Sequence, residues 1–291
     1  MIYDLKKRAE EELVNNLGHF WLKLIDNENG GFYGEVTYDL KANKKSEKGG
    51  IQTSRILWFF SAAYCATKNE EYKKAATNAY EFLRDKLIDE EFKGVYWMVD
   101  YLGNPIDTRK HIYCQSFAIY ALSEYYKATK NEEALNLAME LFELIEGVGF
   151  NKENSAYLEE FDREWNITPN EMLSENGVIA EITTNTHLHV LEGYTTLYEI
   201  TKNEAVREKL KNLIYTFYNK IYDKENHFLK IFFDGNWNTI IDVKSYGHDI
   251  EASWLIDEAY KVLNLKDEAI EKMIIDIAYN IKSNSRRWFI N

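Results

Sequence analysis

Apolar residues recur every three to four positions through most of this chain, which predicts a succession of amphipathic α-helices. Three stretches, residues 67–70, 129–132 and 201–204, read Thr-Lys-Asn-Glu, and residues 266–268 are a weaker fourth copy. Asn or Asp before Glu favours a helix start, because the first residue supplies an N-cap and the second a carboxylate in the first turn. Each copy is therefore expected to join an apolar, Tyr-rich helix to a more charged one.

Short segments with alternating aromatic residues lie between the helix pairs and predict strands. They are bounded by glycines and by Asp-Gly or Asn-Gly turns, which favour small hairpins. These segments are residues 31–38, 94–101, 157–165 and 228–233.

The order of elements predicts an all-α fold made of stacked helical hairpins. The threonines of the three strong copies, Thr67, Thr129 and Thr201, are 62 and 72 residues apart, and such repeats stack apolar inner helices against charged outer ones. The positions near which we expect inner helices to begin are Gly50, Lys110, Glu175 and Ser245.

About nine helices are predicted, in a single domain that spans residues 1–291. A closed (α/α)6 ring has six inner and six outer helices. The pattern therefore indicates either a different, open architecture or a closed-ring sequence that stops early.

Composition and charge narrow the function classes. Apolar residues make up 45% of the chain, enough for a sizeable core, and the 15% aromatic content fits either helical packing or a sugar-binding cleft. The net charge of −13 disfavours nucleic acid and anionic membranes as partners. Cys65 and Cys114 lie in apolar runs and are expected to be buried free thiols. Without a signal peptide or an apolar run of about 18 residues, a soluble cytoplasmic protein is expected.

Two His-x-x-Glu motifs are the strongest candidate chemistry. His248 and Glu251 lie three residues apart near an apolar helix start, and His189 and Glu192 have the same spacing, so each pair shares a helix face. A neighbouring carboxylate raises the pKa of a histidine and selects its tautomer, which suits acid/base catalysis. His187 lies about 200° around the helix from His189 and is expected to pack or to support the site by a hydrogen bond.

Other polar residues open the inner helices. Arg55 precedes Thr67 by 12 residues, as His189 precedes Thr201, so the two occupy equivalent repeat positions. An arginine in so apolar a helix indicates either a buried ion pair or a donor that stabilises an anion.

The helix that begins near Lys110 carries Tyr113 and Gln115 in its first turn, where a structural role is favoured over a functional one. His111 is expected to be a surface or capping residue. Of these three residues, only Tyr113 enters the candidate site, and it does so through a family resemblance.

Several other chemistries are disfavoured. A di-iron site also uses Glu-x-x-His but needs further inward glutamates, and the helix that carries Arg55 offers none. The sequence has no zinc-type Cys/His spacing, phosphate-binding loop, dinucleotide-binding glycine motif or serine nucleophile motif, so no metal or cofactor is expected. Two alternatives stay open: a glycoside hydrolase that uses Asp249 or Glu251 with Glu175, and a non-catalytic carbohydrate-binding fragment.

Six stretches carry a resemblance to a known family. They are residues 26–34, 54–58, 118–123, 173–177, 188–192 and 245–254. From Phe20 to about Ile281 the chain resembles the cellobiose 2-epimerases, within the N-acylglucosamine 2-epimerase family of (α/α)6 barrels. The resemblance implies an (α/α)6 toroid, here incomplete, with about nine of its twelve helices and short β-hairpins between helix pairs.

The resemblance also implies a reaction without a cofactor, the C2 epimerisation of the reducing-end glucose of a β-1,4-linked disaccharide. After ring opening, one histidine removes the C2 proton to give a cis-enediolate, and a second returns a proton to the other face. By this resemblance His248 is one of the two acid/base histidines, and Glu251 orients it or binds a sugar hydroxyl. Arg55 stabilises the enediolate oxygens, and His189 contacts the sugar and assists ring opening. The residues that shape the substrate site are Tyr113, Asn185 and Trp254.

The chain departs from the family pattern at its end. Family members continue with a Trp-Trp helix and a late segment that carries the partner histidine, whereas His248 is the last histidine of these 291 residues. We therefore expect a C-terminally truncated epimerase whose site lacks one base and part of one wall. The expected partner is a neutral disaccharide, with neither nucleic acid nor membrane. A monomer is expected for the family, although exposed apolar helix faces favour association.

Overall fold

The computed structural model describes residues 2–170 and 179–285, which are mainly helical. The α-helices are α1 (Ile2–Glu12), α2 (Gly18–Leu22), α3 (Gly50–Thr67), α4 (Glu70–Phe82), α5 (Ile112–Thr129), α6 (Glu132–Leu144), α7 (Thr184–Thr201), α8 (Glu204–Thr216), α9 (Tyr246–Val262) and α10 (Glu268–Ser285). A π-helical turn joins α1 to α2, and others follow α4, α6 and α8; they are Leu13–Leu17, Leu83–Leu87, Ile145–Gly149 and Phe217–Ile221. The described part of the chain thus forms nine continuous helical segments, which confirms the predicted all-α class.

Very short strands lie between the helix pairs. They are β1 (Glu35–Val36), β2 (Ala42–Asn43), β3 (Lys48–Gly49), β4 (Met98–Val99), β5 (Pro105–Asp107), β6 (Lys110–His111), β7 (Phe150–Asn151), β8 (Ala156–Tyr157), β9 (Glu160–Phe161), β10 (Ile167–Thr168), β11 (Ile182–Thr183), β12 (Tyr222–Asp223), β13 (Phe228–Leu229) and β14 (Phe232–Phe233). Antiparallel pairs join β1 with β2, β4 with both β3 and β5, β7 with β8, β9 with β10, β11 with β14 and β12 with β13. All four aromatic segments contain strand residues, as predicted.

The repeated Thr-Lys-Asn-Glu turn has one geometry in its three strong copies. Its lysines have a left-handed backbone, with φ of 59°, 60° and 51° at Lys68, Lys130 and Lys202. This conformation commonly ends a helix. The asparagine that follows then caps the next helix: Asn69 Oδ1 accepts the backbone N–H of Glu71 at 2.9 Å, and Asn203 Oδ1 accepts that of Ala205 at 2.8 Å. The predicted helix–turn–helix repeat is confirmed.

The predicted starts of the inner helices agree with the structure at three of four places. The residues that open these helices are Gly50 in α3, Ile112 in α5 and Tyr246 in α9. The prediction near Glu175 is wrong, because α7 begins at Thr184, where Thr183 Oγ1 accepts the backbone N–H of Thr186 at 3.1 Å and caps the helix. Glu175 itself lies outside the described residues.

The chain divides into two compact units. The first consists of Met1–Lys110, Phe117–Leu141 and Asp162–Trp165, and the second of His111–Ser116, Phe142–Phe161 and Asn166–Asn291. The single domain expected from the sequence stays a prediction.

Aromatic side chains form much of the core of the first unit. Phe60 on α3 is fully buried and stacks on Phe32, with ring centroids 5.5 Å apart, and its ring also contacts Tyr72 on α4. Tyr80 on α4 stacks on Tyr125 of α5 at 4.7 Å. The contact of Phe60 with Tyr72 packs α3 against α4, and the stack of Tyr80 on Tyr125 packs α4 against α5, so apolar helix faces are buried as the helical periodicity predicts.

The core of the second unit is built around α7. Tyr194 is fully buried, with its ring edge-on to Phe142 at 4.9 Å and its hydroxyl donating to Glu146 Oε1 at 2.8 Å. Within this unit, α7 packs against both α8 and α9, and α9 packs against α10. The helix starts of α7 and α9, which carry the predicted acid/base residues, therefore belong to one packed assembly.

Candidate active site

The first turn of α9 holds His248, the predicted acid/base residue. Ser245 caps the helix, with its hydroxyl oxygen accepting the backbone N–H of His248 at 3.4 Å. The imidazole is half-buried, and within the described residues its Nδ1 atom is buried without a hydrogen-bond partner. Because buried polar atoms are nearly always paired, this nitrogen is suited to a partner that comes with a ligand.

The predicted pairing of His248 with Glu251 does not form among the described residues. Both are half-buried on one face of α9, but His248 Nδ1 contacts no hydrogen-bond acceptor there. Side chains three apart on a helix are near neighbours, yet they meet only when both rotamers turn toward each other. Glu251 is the sixth residue of α9, as Arg55 is of α3 and His189 of α7. The repeat thus aligns Glu251 with Arg55 and His189, and His248 lies one turn earlier.

The predicted pairing of His189 with Glu192 is confirmed. His189 is buried on α7, and its Nδ1 atom lies 2.8 Å from Glu192 Oε2. The ring of Tyr113, from the first turn of α5, meets the His189 ring edge-on, with centroids 4.9 Å apart and planes at 89°. Tyr113 and Asn185, each the second residue of its helix, are half-buried. Tyr113 and His189, predicted separately, therefore form one cluster.

His187 is part of the packing, as expected from its spacing. It is fully buried, its Nε2 atom accepts the backbone N–H of Tyr157 at 3.0 Å, and its Nδ1 atom lies 2.8 Å from the Thr183 carbonyl oxygen. The first contact requires a lone pair on Nε2, so the proton is on Nδ1 and is donated to Thr183. Burial lowers the pKa of His187 to about 4, although the hydrogen bond to Thr183 opposes this. The ring is neutral at pH 7, and both of its nitrogens are hydrogen-bonded within the protein.

One of the two roles predicted for Arg55, a buried ion pair, requires a buried side chain, and the structure does not show one. It is exposed rather than buried, and its guanidinium lies over the ring of Phe117, 4.3 Å from the centroid. In the same unit, Arg55 lines a cavity of about 620 Å³ together with Trp21, Phe59 and Trp97. An aromatic wall beside a fixed cation suits a sugar ring with a developing negative charge.

Trp254 and Asp249 complete α9. The Trp254 indole is 55% exposed, which leaves it available to a ligand. Asp249 is 1% exposed, and its Oδ1 atom accepts the backbone N–H of Leu229 at 2.9 Å. Burial raises the pKa of Asp249 to about 6, against the lowering effects of Leu229 and Lys244. Asp249 therefore anchors a hairpin strand, which disfavours its proposed role in a glycoside hydrolase; Glu175, its suggested partner, lies outside the described residues.

The prediction that His111 is a surface residue is wrong. It is 1% exposed; its Nδ1 atom accepts the backbone N–H of Tyr113 at 3.2 Å, and its Nε2 atom lies 3.3 Å from Asn170 Oδ1 and 3.8 Å from Glu159 Oε2. The capping contact was anticipated, but the burial depends on residues about 50 or more positions away in sequence.

The structure contains buried charged residues that were not predicted from the sequence. Lys48 Nζ lies 2.8 Å from Asp26 Oδ2, and Lys110 Nζ lies 3.1 Å from Asp89 Oδ2, with all four side chains nearly inaccessible. A signal existed in the repeat, since each lysine lies two residues before the first residue of an inner helix and follows its aspartate by 22 or 21 residues. Glu159 was also missed, and no local pattern marks it.

Two further features, a metal-binding cluster and a membrane-spanning helix, do not occur among the described residues. No group of three or more His, Cys, Asp or Glu side chains there could hold a metal ion. No helix in residues 2–170 or 179–285 is long and apolar enough to cross a membrane.

Comparison with known proteins identifies the family. The family model for N-acylglucosamine 2-epimerase (GlcNAc 2-epimerase) matches residues 31–285. A cellobiose 2-epimerase of Dictyoglomus turgidum is 48% identical over 260 residues, 89% of this chain and 66% of that protein. One of Ruminococcus albus is 46% identical over 274 residues, 94% of this chain and 69% of that protein. The chain thus spans about two thirds of the length of these relatives.

A solved structure of cellobiose 2-epimerase from Bacillus thermoamylovorans B4167 superposes with a TM-score of 0.92 at 55% identity, covering 95% of this chain and 72% of that one. The likeness confirms the predicted (α/α)6 fold class. Because the family model and relatives more than 30% identical match most of its length, the chain belongs to the N-acylglucosamine 2-epimerase family.

Proposed function

We propose that this chain is a sugar epimerase that reversibly converts the reducing-end glucose of cellobiose, or of a related β-1,4-linked disaccharide, into its C2 epimer, mannose. The observation that carries the proposal is the half-buried imidazole of His248, whose Nδ1 atom has no partner among the described residues. Identities of 45–48% to curated cellobiose 2-epimerases support this substrate class.

The proposed reaction is a proton transfer at C2 of the open-chain sugar. The neighbouring aldehyde accepts the electron pair as the C–H bond breaks, so neutral His248 becomes imidazolium and the sugar becomes a cis-enediolate. Return of a proton to the same face of C2 restores glucose, and delivery to the opposite face gives mannose. Epimerisation thus needs a proton donor on each face, whereas exchange with solvent needs one. A general base placed at the proton that it removes contributes about 10²–10⁴-fold to such a step.

Arg55 is the proposed stabiliser of the enediolate. Its guanidinium lies over the ring of Phe117, its side chain is exposed, and its planar donors suit two oxygens of one ligand. A well-placed donor to a developing oxyanion stabilises the transition state by roughly 2.7–4 kcal/mol.

His189 is the proposed residue for ring opening and sugar contact. Its hydrogen bond to Glu192 fixes the orientation of the imidazole, which is proposed to donate to the ring oxygen of the sugar. Glu251, one turn after His248, is proposed to bind a sugar hydroxyl. The side chains proposed to shape the substrate site are Tyr113, Asn185 and Trp254.

The remaining parts of the proposal concern partners and location. A neutral sugar fits the net charge of −13, because it is not repelled by an acidic protein. Neither Cys65 nor Cys114 forms a disulfide, which fits a reducing, cytoplasmic compartment. We propose a monomer as the acting form.

The decisive experiment follows the C2 proton of cellobiose in D₂O. Incubation with the purified chain is expected to incorporate deuterium at C2, detected by proton NMR, and chromatography shows whether the mannose-ended epimer forms. Exchange with epimer indicates two proton donors, and exchange without epimer indicates one. Absence of both contradicts the proposed function of this chain.

A further inference from the structure

Glu159 is a buried carboxyl group that the proposed mechanism does not use. It directly precedes β9, is 3% exposed, and belongs to the same unit as Tyr113, Asn185, His189 and His248. The carboxyl groups that contact Lys48 and Lys110 form buried ion pairs. Glu159 forms no ion pair with a lysine or arginine among the described residues. Its contacts are instead with the first turns of two helices that carry proposed site residues.

The carboxyl group of Glu159 binds the start of α7. Its Oε1 atom accepts the backbone N–H of Thr183 at 2.8 Å, and its Oε2 atom accepts the hydroxyl of Thr186 at 2.6 Å. Thr183 is the N-cap of α7 and Thr186 is its third residue, so the two contacts enclose Asn185 in sequence. Both threonines are buried, so water from bulk solvent cannot replace these hydrogen bonds if they are lost.

The backbone of Glu159 binds the start of α5. Its carbonyl oxygen accepts the backbone N–H of Ile112 at 3.0 Å, which satisfies one of the unpaired donors at that helix start. Beside it, His111 Nε2 lies 3.8 Å from Glu159 Oε2, and His111 Nδ1 accepts the backbone N–H of Tyr113. One residue therefore holds the first turns of α5 and α7 together.

The two turns held by Glu159 meet again at the site. Tyr113 leaves α5 and places its ring edge-on against His189 of α7, at 4.9 Å. A shift of either turn changes this contact and the place of Asn185. Since displacement of reacting groups by about 1 Å can cost on the order of 100-fold in rate, a residue that fixes both turns acts on chemistry from a distance.

The protonation state of the Glu159 carboxyl group fits a residue that positions the two helix starts. Burial raises the pKa of Glu159 to about 8, although the hydrogen bonds from Thr186 and Thr183 oppose this. At neutral pH the group is mainly uncharged, which avoids the cost of a buried unpaired charge. Replacing it with an apolar side chain would leave the Thr183 N–H without an acceptor, so simple space filling does not explain a carboxyl group here.

We propose that Glu159, acting with Thr186, is a positioning residue that sets the Tyr113–His189 contact in the site. The inference deepens the proposed epimerase function and rests on it for the effect on rate. The structural half, a change at His189 when the Glu159–Thr186 bond is lost, holds whether or not the chain turns over sugar. The two halves are therefore tested separately.

The experiment compares threonine variants of α7. Thr186→Val keeps the shape and backbone of the helix and removes the hydroxyl that binds Glu159, while Thr186→Ser keeps that hydroxyl. Thr195→Val is the matched control, because the Thr195 hydroxyl donates only within α7, to the Leu191 carbonyl oxygen at 2.7 Å. Glu159→Gln retains an acceptor for Thr183, whereas Glu159→Ala removes it.

Two readouts are measured on folded protein. The first is the position of the His189 imidazole C–H signals in NMR, assigned with His189→Gln, because the Tyr113 ring shifts them. The second is the rate of deuterium exchange at C2 of cellobiose, separated into kcat and KM. Thr186→Val is expected to move the His189 signals and to lower kcat by about 10- to 100-fold with a smaller change in KM. Thr186→Ser and Glu159→Gln are expected to stay near wild type.

Each outcome tests either the positioning role of Glu159 or its effect on the reaction rate. Unchanged His189 signals in Thr186→Val, or an equal shift in Thr195→Val, overturns the positioning role. A wild-type chain without exchange overturns the proposed function and leaves the NMR comparison valid. Shifted signals with an unchanged kcat overturn the link between positioning and rate. If Glu159→Ala does not fold, Thr186→Val still decides the question.

Discussion

The Nε2 atom of His187 accepts the backbone N–H of Tyr157 at 3.0 Å. Asp249 does the same for Leu229 at 2.9 Å. His187 and Asp249 are each the fourth residue of their inner helix, and Tyr157 and Leu229 each belong to the second strand of the preceding hairpin. In α7 and α9 this position therefore anchors a hairpin, and the residues proposed to act in catalysis lie at the third and sixth positions of their helices.

The first prediction concerns His248. Its replacement by Gln removes the basic nitrogen, so C2 exchange of cellobiose is expected to fall by about 10²–10⁴-fold. Proton NMR in D₂O measures the loss. His227→Gln is the matched control, because that half-exposed imidazole contacts Tyr222 in a hairpin outside the proposed site. Comparable exchange in the His248 variant and wild type contradicts the assignment of the base.

The second prediction concerns Arg55. Arg55→Lys keeps the charge but loses the planar pair of donors and the stacking on Phe117, so kcat for epimerisation or exchange is expected to fall by about 10²–10³-fold. Initial rates over a range of cellobiose concentrations give kcat and KM. The half-buried Arg207, which pairs with Glu204, offers a control, since Arg207→Lys should leave kcat unchanged. An effect confined to KM would assign Arg55 to ground-state binding instead.

The third prediction concerns pH and His187. Its pKa is about 4 in the folded protein against 6.5 in an unfolded chain, so below pH 6.5 the unfolded chain binds the proton first. The stabilising contribution is complete above pH 6.5 and is lost as the pH falls toward 4, by about 3 kcal/mol. Denaturant unfolding at several pH values measures this loss. His187→Gln is expected to show a smaller fall between pH 6.5 and 4, and an identical pH profile would refute the assignment.

The fourth prediction concerns the buried pair of Lys48 and Asp26. Lys48→Met leaves the Asp26 carboxylate buried and without its cation, so the free energy of unfolding is expected to fall by about 3–5 kcal/mol. Chemical denaturation monitored by circular dichroism measures this change. Lys41→Met breaks an exposed pair with Asp39 and should change stability by less than about 1 kcal/mol. Similar losses in both variants would show that burial does not govern the effect.

Much of the fold was predictable because its signals are local. The Thr-Lys-Asn-Glu turns act through bonds between residues two to four apart, and the pairing of His189 with Glu192 spans one helical turn. The sixth-position alignment of Arg55 with His189 also follows from counting along the repeat. Local hydrogen bonds and helical periodicity are written into neighbouring residues, so a single sequence is enough to find them.

The predictions that were wrong concern side chains whose surroundings come from distant parts of the sequence. His111 was expected at the surface and is buried, and its neighbour Asn170 lies 59 residues away. His248 and Glu251 have the same spacing as His189 and Glu192, yet only the second pair forms within the described residues. Spacing places two side chains on one face of a helix, but the packing around them selects the rotamers that decide whether they meet.

The sequence by itself determined the helices, the hairpins between them and the identity of the acid/base candidates. Only the tertiary structure decided which polar groups are used up inside the protein and which remain for a ligand. His187 lies 30 residues from Tyr157, and Glu159 lies 24 and 27 residues from Thr183 and Thr186. Removal of these groups from water makes their bonds obligatory, and burial of this kind exists only once the distant segments have come together.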